Sequence, residues 1–216
     1  MHRLDVSLKQ AHRSQSDARD AGVLEHALSI AGEETEQASE LGGALEAHRR
    51  RELDDRRIAA GLAASVEAIR DVPARFAQAL PEEIELEDLL RGLRRSYRRA
   101  RAELTRVETV ADPFHIHNWR KRNKDVTYQL ELLAPVLGRR AGKRRERHAA
   151  LSQELGEVTD LFVLRRFIEQ LDPSVRERDE LLVRIDRLAD KKLTAALEGG
   201  APLFSRRPKK LVARLR

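Results

Sequence analysis

A run of basic and aromatic side chains falls on one side of the helix that the sequence predicts over residues 114–137. At about 100° per residue, an arc of roughly 100° contains an imidazole, a guanidinium, two ammonium groups and a phenol. These are the side chains of His117, Arg120, Lys121, Lys124 and Tyr128. Cations spaced about one per helical turn could bind an extended polyanion through charge-assisted hydrogen bonds. The spacing predicts an anion-binding surface, which we call the His117 face.

The opposite side of the same helix is apolar. Within roughly 60° it carries Trp119, Val126, Leu130, Leu133 and Leu137. Such a helix packs its apolar side into a core and leaves its polar side accessible.

A second basic surface is predicted on a helix over residues 86–108. Its apolar side carries Leu89, Leu93, Tyr97, Ala100, Leu104 and Val107. The other side, which we call the arginine face, carries Arg91, Arg94, Arg95, Arg98 and Arg101. The short connection to the next helix contains Pro113 and favours an antiparallel pair. We therefore expect the two basic faces to flank one groove.

The charge of the chain is unevenly placed. Residues 1–80 carry 11 Lys or Arg against 14 Asp or Glu, whereas residues 91–124 carry 11 against 3. A run of charges on a helix is usually only a solvated surface. However, a helix stabilised by its own ion pairs would place Glu four residues before Lys or Arg, and the His117 face has no such pairs. Unpaired like charges repel, which favours a site for an external polyanion.

Helical periodicity predicts an all-α helical bundle, since aromatic content is only 4% and no hairpin turn separates alternating apolar runs. The predicted helices span residues 20–31, 34–79, 86–108, 114–137, 141–155, 159–171, 174–198 and 208–215. The second of these is expected to break near Gly42-Gly43. Further breaks are predicted at Pro81, Asp112-Pro113, Gly138, Asp172-Pro173 and Gly199-Gly200.

The sequence from His117 to Leu133 closely resembles the signature helix of the CHAD family, the conserved-histidine α-helical domain. Three further segments resemble that family in the same order. They are Gly92 to Arg99, Leu155-Gly156 with Asp160 to Leu164, and Leu203-Phe204 with Pro208-Lys209. Together the four segments cover about residues 90–216. The resemblance implies that the two basic faces bind inorganic polyphosphate, and that the fold is a pseudo-symmetric pair of antiparallel helical bundles.

We interpret residues 1–216 as a single domain, with residues 1–80 as the remnant of the first half and residues 86–216 as the second. Asp20 to Leu24 and Asp160 to Leu164 share Asp, Val and Leu at an offset of 140, and each Asp is expected to cap a helix start. At the same offset, the partner of His117 would precede Met1. We therefore expect the first His-bearing helix to be missing, which would expose apolar surface to a second copy or a helper chain.

No catalytic residue, metal site or cofactor is predicted. His115 and His117 would point about 160° apart on a helix, and no Cys or His pair at i, i+4 offers a zinc site. Glu83 to Glu87 is similar to the Glu-x-Glu-x-Lys strand of triphosphate tunnel enzymes but lacks its Lys. These acids are expected to begin the 86–108 helix. An enzyme would need a metal held by carboxylates, for which Asp125 and Asp160 are the candidates.

The leading hypothesis is therefore non-catalytic binding of inorganic polyphosphate in a basic groove between helices. The alternative is a nucleic-acid-binding protein, although aromatic platforms for base stacking are few. No membrane partner is expected, because no stretch approaches the ~18 apolar residues of a membrane span. With no Cys and no apolar leader, the expected location is the cytoplasm, in association with polyphosphate granules.

Overall fold

The computed structural model describes residues 16–31, 40–52, 55–172 and 178–215. Over these residues the prediction of an all-α helical bundle is confirmed, because every regular element is a helix. The helices are α1 (Ser16–Ala31), α2 (Glu40–Glu52), α3 (Asp55–Ile69), α4 (Val72–Ala79), α5 (Leu86–Thr109), α6 (Pro113–Leu137), α7 (Arg139–Glu169), α8 (Arg178–Phe204) and α9 (Pro208–Leu215). None of these helices combines the length and apolar character needed to span a bilayer.

The chain forms two compact units. The first contains the described parts of residues 1–83 and 163–182. In it α1 packs against α2, and the ring of His48 lies 5.1 Å from that of Phe167 between centroids. The buried apolar side chains of this unit are Leu24, Ala27, Leu28, Ala31, Leu164, Ile168 and Leu181.

The second unit contains residues 84–162 and the described part of 183–216. Its core is centred on Phe204, whose ring centroid lies 5.3 Å from Tyr97 on α5, 6.4 Å from Trp119 on α6 and 5.3 Å from His148 on α7. All four residues are buried. Residues from three of the four segments that carry the CHAD resemblance therefore meet around one aromatic side chain.

The prediction that α5 and α6 pair in antiparallel orientation is confirmed. Gln129 Nε2 donates to Ser96 Oγ at 2.8 Å, and His115 Nδ1 lies 3.8 Å from Glu103 Oε2. Residue numbers rise on α5 as they fall on α6, as antiparallel packing requires.

The first turn of α5 is fixed by its own acids. The Glu85 N–H donates to Asp88 Oδ2 at 3.4 Å, and Glu87 lies in the same turn. The expected role of the 83–87 acids as a helix start is confirmed.

Two predicted breaks at glycine are wrong. Gly42-Gly43 lies inside α2, and Gly199-Gly200 lies inside α8. The predicted interruption between residues 155 and 159 is also wrong, because α7 runs without a break from Arg139 to Glu169. The break at Gly138 is confirmed, and its φ of 72° is one that glycine adopts without strain. The predicted break at Pro173, and the parts of predicted helices over 34–39, 53–54 and 174–177, lie outside the described residues.

The expected capping role of Asp160 is also wrong. Asp160 lies well inside α7, where the backbone N–H groups are already bonded within the helix. Asp20 lies inside α1, and the residues before Ser16 are outside the described part of the chain.

An apolar surface is exposed on α3 and α4. Leu62, Val66 and Ile69 of α3 are 55%, 51% and 39% exposed, and Phe76 of α4 is 49% exposed. This surface is of the kind expected for a second copy or a helper chain. Such a partner stays a prediction.

Replacing Gly200 by Ala should destabilise the protein by about 1–3 kcal/mol, because the core has no room for a methyl group there. An added Cβ would lie 2.7 Å from Cζ2 and 2.8 Å from Cη2 of the buried Trp119 ring. The matched control is Gly199→Ala, whose Cβ would meet nothing closer than Glu154 Oε2 at 3.7 Å. That variant should be neutral or more stable by about 0.5–1 kcal/mol, as expected for Gly→Ala within a helix. Urea unfolding followed by Trp119 fluorescence measures both, and equal stabilities would contradict the packing described here.

Candidate anion-binding site

The start of α6 is defined by Asp112 and Pro113. Asp112 Oδ1 accepts a hydrogen bond from the backbone N–H of His115 at 2.7 Å, which satisfies one of the free N–H groups of the first turn. Pro113 occupies the first helical position, where its missing N–H costs nothing. His117 thus follows one turn after a fixed helix start.

The structure brings the residues of the His117 face together on one side of α6. His117 and Lys121 are exposed, Arg120 and Lys124 are half-buried, and Tyr128 is 56% exposed. Lys124 Nζ lies 5.6 Å from the centre of the Tyr128 ring, within the range of a cation–π contact. On the opposite side Trp119, Val126, Leu130 and Leu133 are buried and Leu137 packs against the core, as predicted.

Arg120 is a member of the face that contacts α7. Its Nε donates to the carbonyl oxygen of Ser152 at 3.4 Å. Beside it lies Gly156, where an added Cβ would come within 3.2 Å of Arg120 Nη2 and 3.3 Å of Nε. The missing side chain of Gly156 lets the guanidinium lie close against the backbone of α7. The His117 face therefore lies along the border between α6 and α7.

A buried polar network joins the same two helices beneath this border. Asn123 Nδ2 donates to the carbonyl oxygen of His148 at 2.6 Å and to Ser152 Oγ at 2.7 Å. Asn123 Oδ1 lies 2.7 Å from His148 Nδ1, which as the partner of a carbonyl oxygen must carry the proton. Asn123 and His148 are completely buried. Burial, with a smaller contribution from the positive charge of Arg144, lowers the pKa of His148 to about 3, so the ring is neutral.

The arginine face of α5 is placed differently from the expectation. Arg94 is half-buried, and Arg95, Arg98 and Arg101 are exposed. Arg91 forms an ion pair with Asp88 on the same helix.

The expectation that the two basic faces flank one groove is corrected by the contacts between α5 and α6. The α5 positions that meet α6 include Ser96 and Glu103. At about 100° per residue, Arg94, Arg98 and Arg101 point roughly 140–180° away from those positions. The same projection places His117, Arg120 and Lys124 about 120–180° away from Gln129 and His115, which meet α5. These six side chains thus lie on the far flanks of their helices and do not form a common basic groove, whereas Arg95 and Lys121 project only about 80–120° from the contact positions.

Several elements of the site were not predicted from the sequence. They are the contact of Arg120 with Gly156, the Asn123–His148 network, and Arg144 and Arg206, which lie near Tyr97. One sequence signal was present, because Asn123 falls among the apolar positions of α6, where a polar residue needs a partner. Within the described ranges, no group of three or more His, Asp or Glu side chains is arranged to hold a metal ion.

Comparison with known protein families identifies the family of this chain. The family model described as CHAD domain matches residues 1–169 of the chain, which is well over half of its length. The matched range contains the His117 face and Gly156, whereas Phe204 lies beyond it. No curated protein and no solved structure matched the chain.

Replacing Gly156 by Ala should weaken anion binding without destabilising the fold. The new Cβ would displace the flexible end of Arg120 rather than backbone, so the fold can adapt while the guanidinium moves. The sequence predicts that the His117 face binds polyphosphate, and on that prediction affinity for the long-chain polymer should fall about two- to tenfold, as for the loss of one well-placed contact. The matched control is Gly142→Ala on the same helix, where a Cβ would have nothing within 4 Å. Equal affinities of the two variants, measured by filter retention at low salt, would rule out a role for the Gly156 contact.

The buried His148 should make the protein less stable as the pH falls from about 6.5 toward 3. Because its pKa in the folded state is lowered to about 3, protons bind to the unfolded state first over this range. One such residue contributes a loss of about 1.4 kcal/mol per pH unit. In His148→Gln, urea unfolding at pH 7 and pH 5 should show a smaller difference in free energy than in the wild type. His26→Gln, which replaces an exposed histidine, should retain the full difference. A pH dependence unchanged in His148→Gln would refute this assignment.

Proposed function

Because this chain belongs to the CHAD domain family, we propose that it binds inorganic polyphosphate along the His117 face without catalysing a reaction. The observation that carries the proposal is the alignment of Arg120, Lys121 and Lys124 on one side of α6. A phosphate chain running along that side would meet a cation at about every helical turn.

The charges of Lys121 and Lys124 are available to a ligand. In the part of the chain that the structure describes, neither Lys121 nor Lys124 forms an ion pair with a carboxylate. The nearby Asp125 instead pairs with Arg122, at 3.2 Å between Oδ2 and Nη1. An anion bound here would therefore meet cations whose charge the protein has not already neutralised, which favours binding.

The members of the face should contribute unequally. Arg120 is already oriented by Ser152 and Gly156, so little conformational freedom is lost when its remaining N–H groups bind phosphate. Histidine is largely neutral at pH 7 unless an anion protonates it. We therefore assign most of the binding affinity to Arg120, Lys121 and Lys124, and only a small part of it to His117.

The arrangement of aromatic residues favours polyphosphate over single-stranded nucleic acid. Proteins that bind single strands without sequence preference stack bases on exposed aromatic rings. Trp119 and Tyr97 are buried in the core around Phe204 and cannot serve in this way. Tyr128 and Phe114 are exposed, but Lys124 already lies near the Tyr128 ring, and the Phe114 ring packs edge-on against that of His115 at 5.4 Å between centroids.

The proposal includes a cytoplasmic location at polyphosphate granules and the absence of catalysis. Release of orthophosphate from polyphosphate in the presence of Mg²⁺ or Mn²⁺, lost in Asp160→Asn, would instead identify an enzyme. Imaging of the tagged protein in cells, with polyphosphate stained, tests the location.

Reversing the two lysine charges should abolish most of the binding. In Lys121→Glu/Lys124→Glu, we expect affinity for long-chain polyphosphate to fall roughly tenfold or more at low salt, with a weaker salt dependence because fewer counterions are released. The matched control is Arg187→Glu/Lys191→Glu on α8, where both side chains are exposed and the change in net charge is the same. Filter retention over a series of salt concentrations measures both variants, and equal losses would show that only net charge matters.

A competition experiment separates polyphosphate from nucleic acid. Unlabelled DNA and RNA are added to the complex of the wild-type protein with labelled polyphosphate, at equal phosphate concentration. Polyphosphate should remain bound by a wide margin. Displacement by DNA or RNA would make nucleic acid the main ligand.

A further inference from the structure

An exposed apolar surface occupies the second half of α6. Leu132 is 63% exposed and Val136 is 65% exposed, and Pro135, beside Val136, is also exposed. At about 100° per residue these side chains and Tyr128 fall within one arc of roughly 100°. We call these four residues the Leu132 ridge. The ridge belongs to the second unit, whereas the exposed apolar side chains of α3 and α4 belong to the first. A contiguous apolar surface of this kind is typical of a contact with another protein molecule.

The border of the Leu132 ridge is mostly basic. Arg139 and Arg140 follow the ridge in the sequence and are exposed, as is Arg95 on the neighbouring α5. Over the described ranges none of these three arginines forms an ion pair with Asp or Glu. Lys124 precedes the ridge, and Glu131 is an exposed acid on the same part of α6. An apolar surface with such a border fits a segment that combines apolar and acidic side chains.

The chain contains a segment of that chemistry at the start of α5. Its residues alternate between apolar and acidic side chains, and we call them the acidic segment: Ile84, Glu85, Leu86 and Glu87. All four are exposed, Ile84 to 46% and Leu86 to 36%. Because the Leu132 ridge is also exposed, the acidic segment does not cover the ridge of its own chain. Both surfaces are therefore free to contact a second copy.

The acidic segment and the Leu132 ridge lie at the same end of the α5–α6 pair. Gln129 Nε2 donates to Ser96 Oγ at 2.8 Å, and a Cβ added to Gly92 would lie 3.8 Å from Gln129 Oε1. Val136 follows Gln129 by seven residues, which is about 10 Å along α6. In an antiparallel pair, the same distance back along α5 leads from Ser96 and Gly92 to residues 85–89. A two-fold axis at this end can therefore bring each acidic segment onto the ridge of the other copy.

We propose that the protein forms a two-fold dimer through the second unit, in which the acidic segment of each copy packs on the Leu132 ridge of the other. Ile84 and Leu86 supply apolar contact with the ridge, and Glu87 faces the arginines at its border. The apolar contact provides most of the affinity, while the opposite charges orient the two copies and disfavour other pairings. The surfaces are small, so we expect a transient dimer with a Kd roughly between 1 μM and 1 mM. This dimer does not require an anion at the His117 face.

Sedimentation equilibrium of the full chain, without polyphosphate, tests the dimer. The apparent mass should rise with protein concentration from the 24.6 kDa of one chain toward twice that value. Leu132→Glu places an acid on the ridge, where the acidic segment repels it. Ile84→Lys places a cation in the acidic segment, where the arginines at the border repel it. Each variant should weaken the dimer about tenfold or more. Both side chains are exposed, so circular dichroism should show an unchanged fold.

An equimolar mixture of Leu132→Glu and Ile84→Lys distinguishes this dimer from other arrangements. In the mixed dimer one contact is unaltered, and the other brings together two substituted positions of opposite charge. The mixture should therefore dimerise about tenfold more tightly than either variant alone. A mixture that associates no more tightly than the separate variants would overturn the proposal.

The matched control is Leu62→Glu on α3, which introduces the same charge at a position that is 55% exposed. It should dimerise as the wild type does. A wild-type protein that stays monomeric up to about 1 mM, or equal weakening by Leu62→Glu and Leu132→Glu, would contradict a dimer through the Leu132 ridge.

Discussion

The hydrogen bonds of Asn123 determine how α6 lies against α7. Its amide donates to the His148 carbonyl and to Ser152 Oγ, and its Oδ1 pairs with the His148 ring. A buried amide left without partners costs several kcal/mol, so neighbouring registers of the two helices are strongly disfavoured. In the observed register Arg120, one turn before Asn123, reaches Ser152 and Gly156. The position of the His117 face relative to α7 thus follows from a polar contact in the core.

The sequence predicted those features that depend on one helix at a time. The bounds of α5, α6 and α9 agree with the prediction to within one residue, because acids, Asp112-Pro113 and Gly138 mark their ends. The buried side of α6 was also predicted, since it follows from periodicity alone. Glycine was the main source of error. Gly200 lies inside α8, and the residue there is a glycine because the Trp119 ring occupies the space that a Cβ would need. That requirement is set by another helix and cannot be read from the local sequence.

Features that depend on the neighbours of a helix could not be predicted in the same way. Helical projection correctly grouped the arginines of α5, but it does not tell which flank of α5 meets α6. The hydrogen bond between Ser96 and Gln129 decides that question and directs Arg94, Arg98 and Arg101 away from α6. Likewise His148 is unremarkable as one histidine among seven in the sequence, and only its burial against Phe204 and Asn123 gives it a role.

The distribution of ion pairs distinguishes the His117 face from an ordinary solvated helix surface. On α5 and α6, Asp88 pairs with Arg91, Glu103 with Arg106 and Asp125 with Arg122. Acids are therefore present on these helices, and they pair with these arginines rather than with Lys121 or Lys124. Asp125 shows this most directly, since it follows Lys124 in the sequence but pairs with Arg122, on another side of α6. Intrahelical pairs at such spacings stabilise a helix, and like charges left alone destabilise it. The arrangement gives up that stabilisation at Lys121 and Lys124, whose charges have no carboxylate partner among the described residues, and this is the feature on which the proposed function rests.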